Sequence, residues 1–132
     1  MAPTSNAAPI RNPVVFAPHI YDHSFDTVGY PVFHVEMGNG DHFQMREHEM
    51  PANVLEVLDA YKETVSRVRF NDQFGGYYEV AQILTHRVDQ TGQAFFLIAW
   101  TGTFAHPIWR QEVREELVCP VLVGEYRARH HI

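Results

Sequence analysis

Apolar positions are densest between Gly92 and Trp100, where seven of the nine residues are apolar or aromatic. They fall on both parities, and alternate residues of a β-strand point to opposite faces. A strand with one solvent-exposed face would alternate apolar with polar residues. The pattern therefore predicts a strand that is buried on both faces, one by its own core and one by a second layer.

The first half of the chain has the pattern of three strands followed by a helix. The predicted strands are residues 14–23, 30–37 and 42–46, and a Gly-Asn-Gly-Asp sequence favours a tight turn between the last two. After Pro51, apolar residues recur at i, i+3, i+4 and i+7, which predicts an amphipathic helix. Proline is tolerated at a helix start because its missing N–H needs no partner there.

The second half repeats this plan. We predict strands at residues 77–86, 92–100 and 107–111, a loop or short helix at 110–116, and a helix from Cys119 to the C-terminus. A shift of 63 residues aligns five identical pairs: Ile20 with Ile83, His23 with His86, Asp26 with Asp89, Gly29 with Gly92 and Phe33 with Phe96. The order of elements and these identities indicate an internal duplication. We expect a flexible N-terminal arm (1–13), a first unit (14–68) and a second unit (77–132).

Composition narrows the possible functions of the chain. A net charge of −6 without any run of Lys or Arg argues against duplex nucleic acid as a direct partner and is compatible with a basic peptide. No apolar run approaches the roughly 18 residues of a membrane span. The one cysteine, Cys119, excludes an internal disulfide framework. The nine histidines lack zinc-site spacing, and no catalytic motif is present, so we predict no metal, no cofactor and no enzymatic activity.

The second unit resembles the chromodomain and chromoshadow domain family of heterochromatin proteins. Three segments carry the resemblance: Val-x-x-Ile-Leu at 80–84, Asp-x-x-Gly-x-x-x-Phe-Leu-x-x-Trp at 89–100, and Cys-Pro-x-Leu-Val-x-x-Tyr at 119–126. The resemblance implies an α+β fold of two small chromo-like units, the first diverged. Each unit would be a curved three-stranded antiparallel sheet, an SH3-like partial barrel, packed by a C-terminal helix. It also implies a nuclear location.

The chromodomain branch implies a methyl-lysine reader that binds a histone tail. In that branch three aromatic rings enclose the methylated lysine through cation–π attraction. Tyr78 and Trp100 match the first two rings, while the third position is Thr103 here, with Phe104 one residue further on.

The chromoshadow branch implies a protein–protein interaction module that dimerises through its C-terminal helix and binds an apolar peptide. The candidate interaction and dimer surface comprises Phe96, Ile98, Cys119, Leu122, Val123 and Tyr126. The family's apolar and aromatic dimer contacts are replaced by Gly124 and Arg127, so an internal pseudo-dimer of the two units is an alternative to a homodimer. We favour a non-enzymatic, chromatin-associated interaction module in heterochromatin or gene silencing, with the methyl-lysine reader as the alternative.

Overall fold

The computed structural model describes residues 17–67 and 80–132. These residues have an α+β fold of two three-stranded antiparallel sheets and two helices. The predicted N-terminal arm and the connector between the two units lie outside the described residues. The expected α+β class and the antiparallel three-stranded sheets are thus confirmed.

The first unit contains the predicted three strands and helix. They are β1 (His19–Phe25), β2 (Pro31–Glu36), β3 (His42–Met45) and α1 (Ala52–Ser66), with β2 in the centre of the sheet. Pro51 precedes α1 as its N-cap, and Val54 and Leu58 on the apolar side of the helix are buried. The apolar periodicity after Pro51 therefore identified both the helix and its buried face.

The second unit has the same order of elements. They are β4 (Val80–Val88), β5 (Ala94–Trp100), β6 (Gln111–Arg114) and α2 (Pro120–His130), with β5 in the centre. The predicted strand at 107–111 is wrong, because Pro107–Trp109 forms a 3-10 turn. The His106 ring accepts a hydrogen bond from the Ile108 N–H and caps this turn. The third strand lies instead within residues 110–116, the charged stretch in which the sequence predicts a loop or short helix.

Equivalent structural positions of the two units lie 63 residues apart in their first two strands. His23 pairs with Phe33 across β1 and β2, and His86 pairs with Phe96 across β4 and β5. Each sheet also has a register irregularity at the same place, after Ile20 and after Ile83. The sequence shift therefore superimposes strand register as well as residue type.

The same hydrogen bond joins strand and helix in both units. The His23 Nδ1 lies 2.7 Å from the Tyr61 hydroxyl on α1, and the His86 Nδ1 lies 2.9 Å from the Tyr126 hydroxyl on α2. The turns after β1 and β4 also agree, since each ends in a glycine with positive φ, 99° at Gly29 and 90° at Gly92. L-residues rarely adopt this conformation, so both turns favour glycine.

Candidate functional site

The first unit contacts the sheet of the second unit on the second face of β5. On the first face Phe96 and Ile98 are fully buried in the core of the second unit. On the second face Leu97 is 1% exposed, and its cross-strand neighbour on β6 is Glu112. Directly paired residues share a face, so Glu112 points to the same side as Leu97. There its carboxylate accepts a hydrogen bond from the Tyr30 hydroxyl of the first unit. Leu97 confirms the predicted burial at the middle of this second face, whereas Phe95 and Ala99 are only partly buried. The unit that approaches this face belongs to the same chain.

Glu112 is the centre of a polar cluster between the two units. Its side chain is 8% exposed, and the Arg87 Nε lies 2.8 and 3.0 Å from the two carboxylate oxygens. The His48 Nδ1 of the first unit lies 3.4 Å from the Glu112 Oε1. Buried carboxylates of this kind are stable only when such partners compensate for lost hydration. We call Tyr30, His48, Arg87 and Glu112 the Glu112 cluster.

The surroundings of the cluster set its charges. Burial acts to raise the pKa of the Glu112 carboxyl, but the hydrogen bonds from Arg87 and Tyr30 outweigh it, so this pKa lies below its ordinary value. Burial lowers the pKa of His48 below 6.5; the Glu112 charge opposes this effect and the Arg87 charge adds to it. Burial, reinforced by Glu112, raises the pKa of the Tyr30 hydroxyl. At neutral pH Glu112 and Arg87 are therefore charged, and Tyr30 and His48 are neutral.

A longer connection in the second unit completes the core of the first. Ten residues (101–110) separate β5 from β6, whereas five (37–41) separate β2 from β3. From this inserted segment, Phe104, Ile108 and Trp109 are buried in the core cluster of the first unit. The Phe104 and Trp109 rings meet edge to face at 4.8 Å, and the Trp109 Nε1–H donates to the Ser66 Oγ at 2.9 Å. The first unit therefore depends on the second for part of its core.

The inserted segment also covers a buried lysine on α1. Lys62 is 3% exposed, and its ammonium lies 2.8 Å from the Glu47 carboxylate. The same ammonium lies 5.2 Å from the centre of the Trp109 ring. A buried charge needs a counter-charge and favours an aromatic face, and Lys62 has both.

Of the three candidate cage residues, one lies outside the described residues, one is partly buried and one is buried. Tyr78 lies outside the described residues. Trp100 is partly buried, packs against both core clusters, and donates from Nε1 to the Trp109 carbonyl at 3.1 Å. Phe104 is 6% exposed and belongs to the core of the first unit. A cage that includes Phe104 would therefore require this ring to leave the core.

Most of the candidate interaction surface lies inside the second unit. Four of its six residues are buried in the core cluster between the sheet and α2: Phe96, Ile98, Val123 and Tyr126. Leu122 is partly buried against that cluster, and Cys119 is exposed. The apolar spacing that suggested a surface instead marks the side of α2 that packs on its own sheet.

An open groove lies at the start of α2, next to the expected surface. It has a volume of about 430 Å³ and is lined by Glu115, Glu116, Val118, Pro120, Val123, Gly124 and Arg127. A Cβ atom at Gly124 would have nothing within 4 Å, so the missing side chain leaves this part of the groove empty. At its rim, Arg127 pairs with Glu115 and Arg114 with Glu116, each at 2.7 Å. We call this site the α2 groove.

Two exposed apolar side chains adjoin the α2 groove. Leu117, between the lining residues Glu116 and Val118, is 73% exposed, and Val121 is 66% exposed. They are the most exposed of the large apolar side chains among residues 17–67 and 80–132. Val121 also lies three positions before Gly124, so the two are neighbours on the helix surface. The groove thus combines an empty floor with accessible apolar groups.

Glu112, the packing of Trp109, and the apolar pair Leu117 and Val121 were not predicted from the sequence. The repeat could have indicated the strand that contains Glu112. The first unit has three strands, so a third strand is expected in the second unit as well. However, Phe33 pairs with Met45 whereas Phe96 pairs with Val113, so the shift is 68 residues there and not 63. The inserted segment displaced the strand from its expected place.

Within residues 17–67 and 80–132, no three His, Cys, Asp or Glu side chains are grouped so that they could hold a metal ion. In the part of the chain that the structure describes, no helix has the length and apolar character needed to cross a membrane. The chain matches no protein-family model, and no curated protein or solved structure matches it either.

Proposed function

We propose that the protein is a non-enzymatic protein–protein interaction module that binds an apolar segment of a partner protein in the α2 groove. The observation that carries the proposal is the empty floor at Gly124 beside the exposed Leu117 and Val121. Burial of exposed apolar area is the main favourable term in most protein associations. Clustered exposed apolar groups next to a concavity are a common feature of such binding sites.

The chromatin setting rests on the resemblance of the second unit to chromo and chromoshadow domains. On this basis we propose a nuclear protein that acts in heterochromatin or gene silencing and whose two units are chromo-like. Each three-stranded sheet with its C-terminal helix is compatible with the SH3-like partial barrel of that family.

The contacts between the units favour the internal pseudo-dimer over the family's homodimer. The Tyr30 hydrogen bond to Glu112 and the burial of Trp109 in the first unit both lie within one chain. In addition, Gly124 and Arg127 stand where the family has apolar and aromatic dimer contacts. We therefore propose that the first unit serves as the built-in partner of the second.

The α2 groove is tested by changes that alter it without disturbing the core. Gly124→Leu fills its floor, and Leu117→Asp places a charge beside it. Leu55→Asp is the matched control, because Leu55 is an exposed apolar residue on α1, away from the groove. Tagged wild-type protein and variants are used to capture partners from nuclear extract, and each partner is then titrated in purified form by calorimetry.

A partner that binds wild type and Leu55→Asp but loses affinity about tenfold or more for Gly124→Leu and Leu117→Asp supports the groove. A tenfold loss corresponds to about 1.4 kcal/mol, which is within reach of the few central residues of an interface, since these contribute about 2 kcal/mol or more. Equal binding to all four proteins would contradict the groove. Histone tail peptides with unmodified or trimethylated lysine are titrated in parallel. A preference for the trimethylated form that is lost in Tyr78→Ala would establish the methyl-lysine reader instead.

A further inference from the structure

The sheet of the first unit has an outer face on the side opposite its core. Phe33 and Val35 of β2 are 0% exposed in that core. Alternate residues of a strand point to opposite sides, so His34 and Glu36 lie on the outer face. His42 of β3 pairs with Glu36 and shares this face. His34 and Glu36 are half-buried and His42 is exposed, so the outer face is accessible to a ligand.

The ring of Tyr21 is the centre of the outer face. Tyr21 lies on β1 at the register irregularity, and 46% of it is exposed. The His34 and His42 rings meet it edge to face at 6.2 and 5.5 Å, and the His19 ring stacks on it at 6.4 Å. The Tyr21 hydroxyl also lies 3.1 Å from the His42 Nδ1. These contacts hold an accessible aromatic ring in one orientation, and we call His19, Tyr21, His34, Glu36 and His42 the Tyr21 face.

Glu36 places a carboxylate on the same face as this ring. In the sheet it pairs with His19 on one side and with His42 on the other, and both of these imidazoles contact Tyr21. Residues 17–45, which include all three strands of the first unit, contain four Asp or Glu and no Lys or Arg. The sheet therefore supplies no lysine or arginine to neutralise Glu36.

Charge is divided unequally between the two units. Residues 17–67 contain nine Asp or Glu and three Lys or Arg, a formal charge of −6, whereas residues 80–132 contain five of each and are neutral. A second copy of the chain would bring two acidic units together, and nucleic acids and anionic lipids have the same sign of charge as the first unit. Charge complementarity therefore favours a cationic ligand on this unit.

The first unit already holds one of its own cations between a tyrosine ring and a carboxylate. The Arg46 guanidinium lies 3.8 Å from the centre of the Tyr30 ring and pairs with the Asp26 carboxylate. The face of an aromatic ring attracts a cation, and the carboxylate supplies the counter-charge. The Tyr21 face offers the same two groups in a sheet that has no arginine or lysine.

We propose that the Tyr21 face binds a basic segment of a partner protein, with a Lys or Arg side chain of that segment over the Tyr21 ring and beside the Glu36 carboxylate. Glu36 ends β2, whereas the second unit contacts the other end of this strand through Tyr30 and Glu112. The Tyr21 face is therefore a second binding surface, which is independent of the α2 groove and of the proposed function.

Titration of the purified full-length protein with a synthetic peptide tests this surface. The probe has about eight residues of alternating Ala and Lys, and a peptide of alternating Ala and Glu is its control. Binding is followed by amide NMR signals at about pH 7.5 and about 50 mM salt, where screening is weak. Tyr21→Leu removes the ring and Glu36→Gln removes the charge. Glu56→Gln is the matched control variant, because Glu56 is an exposed acidic residue of the same unit on α1.

The Lys peptide should shift signals of β1, β2 and β3 in a saturable way, and the Glu peptide should not. Tyr21→Leu and Glu36→Gln should each weaken the affinity about threefold, while Glu56→Gln should change it by less than about 1.5-fold. An absence of saturable shifts at millimolar Lys peptide would overturn the proposal. An equal loss in Glu36→Gln and Glu56→Gln would also overturn it, because the attraction would then come from the net charge alone. If Tyr21→Leu does not fold, Glu36→Gln and the positions of the shifted signals decide the outcome.

Discussion

Trp109 offers the most direct test of how the two units depend on each other. It belongs in sequence to the inserted segment of the second unit, yet its side chain is 4% exposed in the core cluster of the first. Trp109→Ala removes the ring that packs against Phe104 and lies over the Lys62 ammonium. It also removes the hydrogen bond to Ser66. A substitution in the second unit is therefore expected to destabilise the first unit.

The expected loss is large relative to the stability of a small domain. Replacing a buried Trp by Ala typically costs about 3–5 kcal/mol, from lost apolar burial and the cavity that remains. Total unfolding free energies of about 5–15 kcal/mol are usual for single domains, so the substitution would remove a substantial fraction of the stability. Lys62 adds to the cost, because its charge stays buried while one covering ring is lost. Leu117→Ala is the control and should change stability by less than about 0.5 kcal/mol, since Leu117 is 73% exposed.

Urea unfolding followed by far-ultraviolet circular dichroism and by amide NMR signals measures the effect in each unit. We expect Trp109→Ala to lower the midpoint for residues of β1, β2 and α1 along with those of the second unit, as a single transition. If signals of the first unit kept the wild-type midpoint while only those of the second unit shifted, the units would be independent and the reasoning would fail.

Three further predictions concern substitutions at individual positions. Tyr61→Phe and Tyr126→Phe should each lower the free energy of unfolding by about 1 kcal/mol, because each removes the equivalent histidine hydrogen bond, and unequal losses in urea unfolding would contradict their equivalence. Gly124→Ala should raise the thermal unfolding midpoint, gaining up to about 1 kcal/mol of helix propensity without a steric clash. Glu112→Ala should cost about 2 kcal/mol at neutral pH, less than for a fully buried pair because Arg87 is 31% exposed. Since the folded-state pKa of Glu112 lies below 4.5, denaturant midpoints measured against pH should show this cost in full above about pH 4.5 and lose it as the pH falls further.

The repeat shows how far local pattern can lead. The identical residues of the two units include His23 and His86, and these make the same hydrogen bond to a helix tyrosine. Their sequence spacing indicated equivalence, but the partner tyrosines lie 38 and 40 residues away. The bond could not be predicted from the strand alone, because it depends on how the helix crosses the sheet.

The apolar pattern of α2 did not distinguish residues that pack on their own sheet from residues that form an interaction surface. Val123 and Tyr126 were expected on an interaction surface, but they pack on the sheet of their own unit. An apolar stripe indicates that a helix side is covered without indicating what covers it. Leu117 and Val121 lie outside that stripe and were not predicted, although they are the accessible apolar groups beside the α2 groove.

Local pattern along the chain was enough to predict the α+β class, the two repeated sets of elements, the glycine turn and the strand with two buried faces. These features follow from local conformational preference and from the period of apolar residues, which are properties of neighbouring positions. The packing of the two units, in contrast, brings Tyr30 of the first unit to the Leu97 face of the second sheet, places Trp109 in the other unit's core, and joins Glu112 to Tyr30, His48 and Arg87. Such contacts join residues far apart in sequence, and their geometry depends on how whole sheets and helices pack against one another.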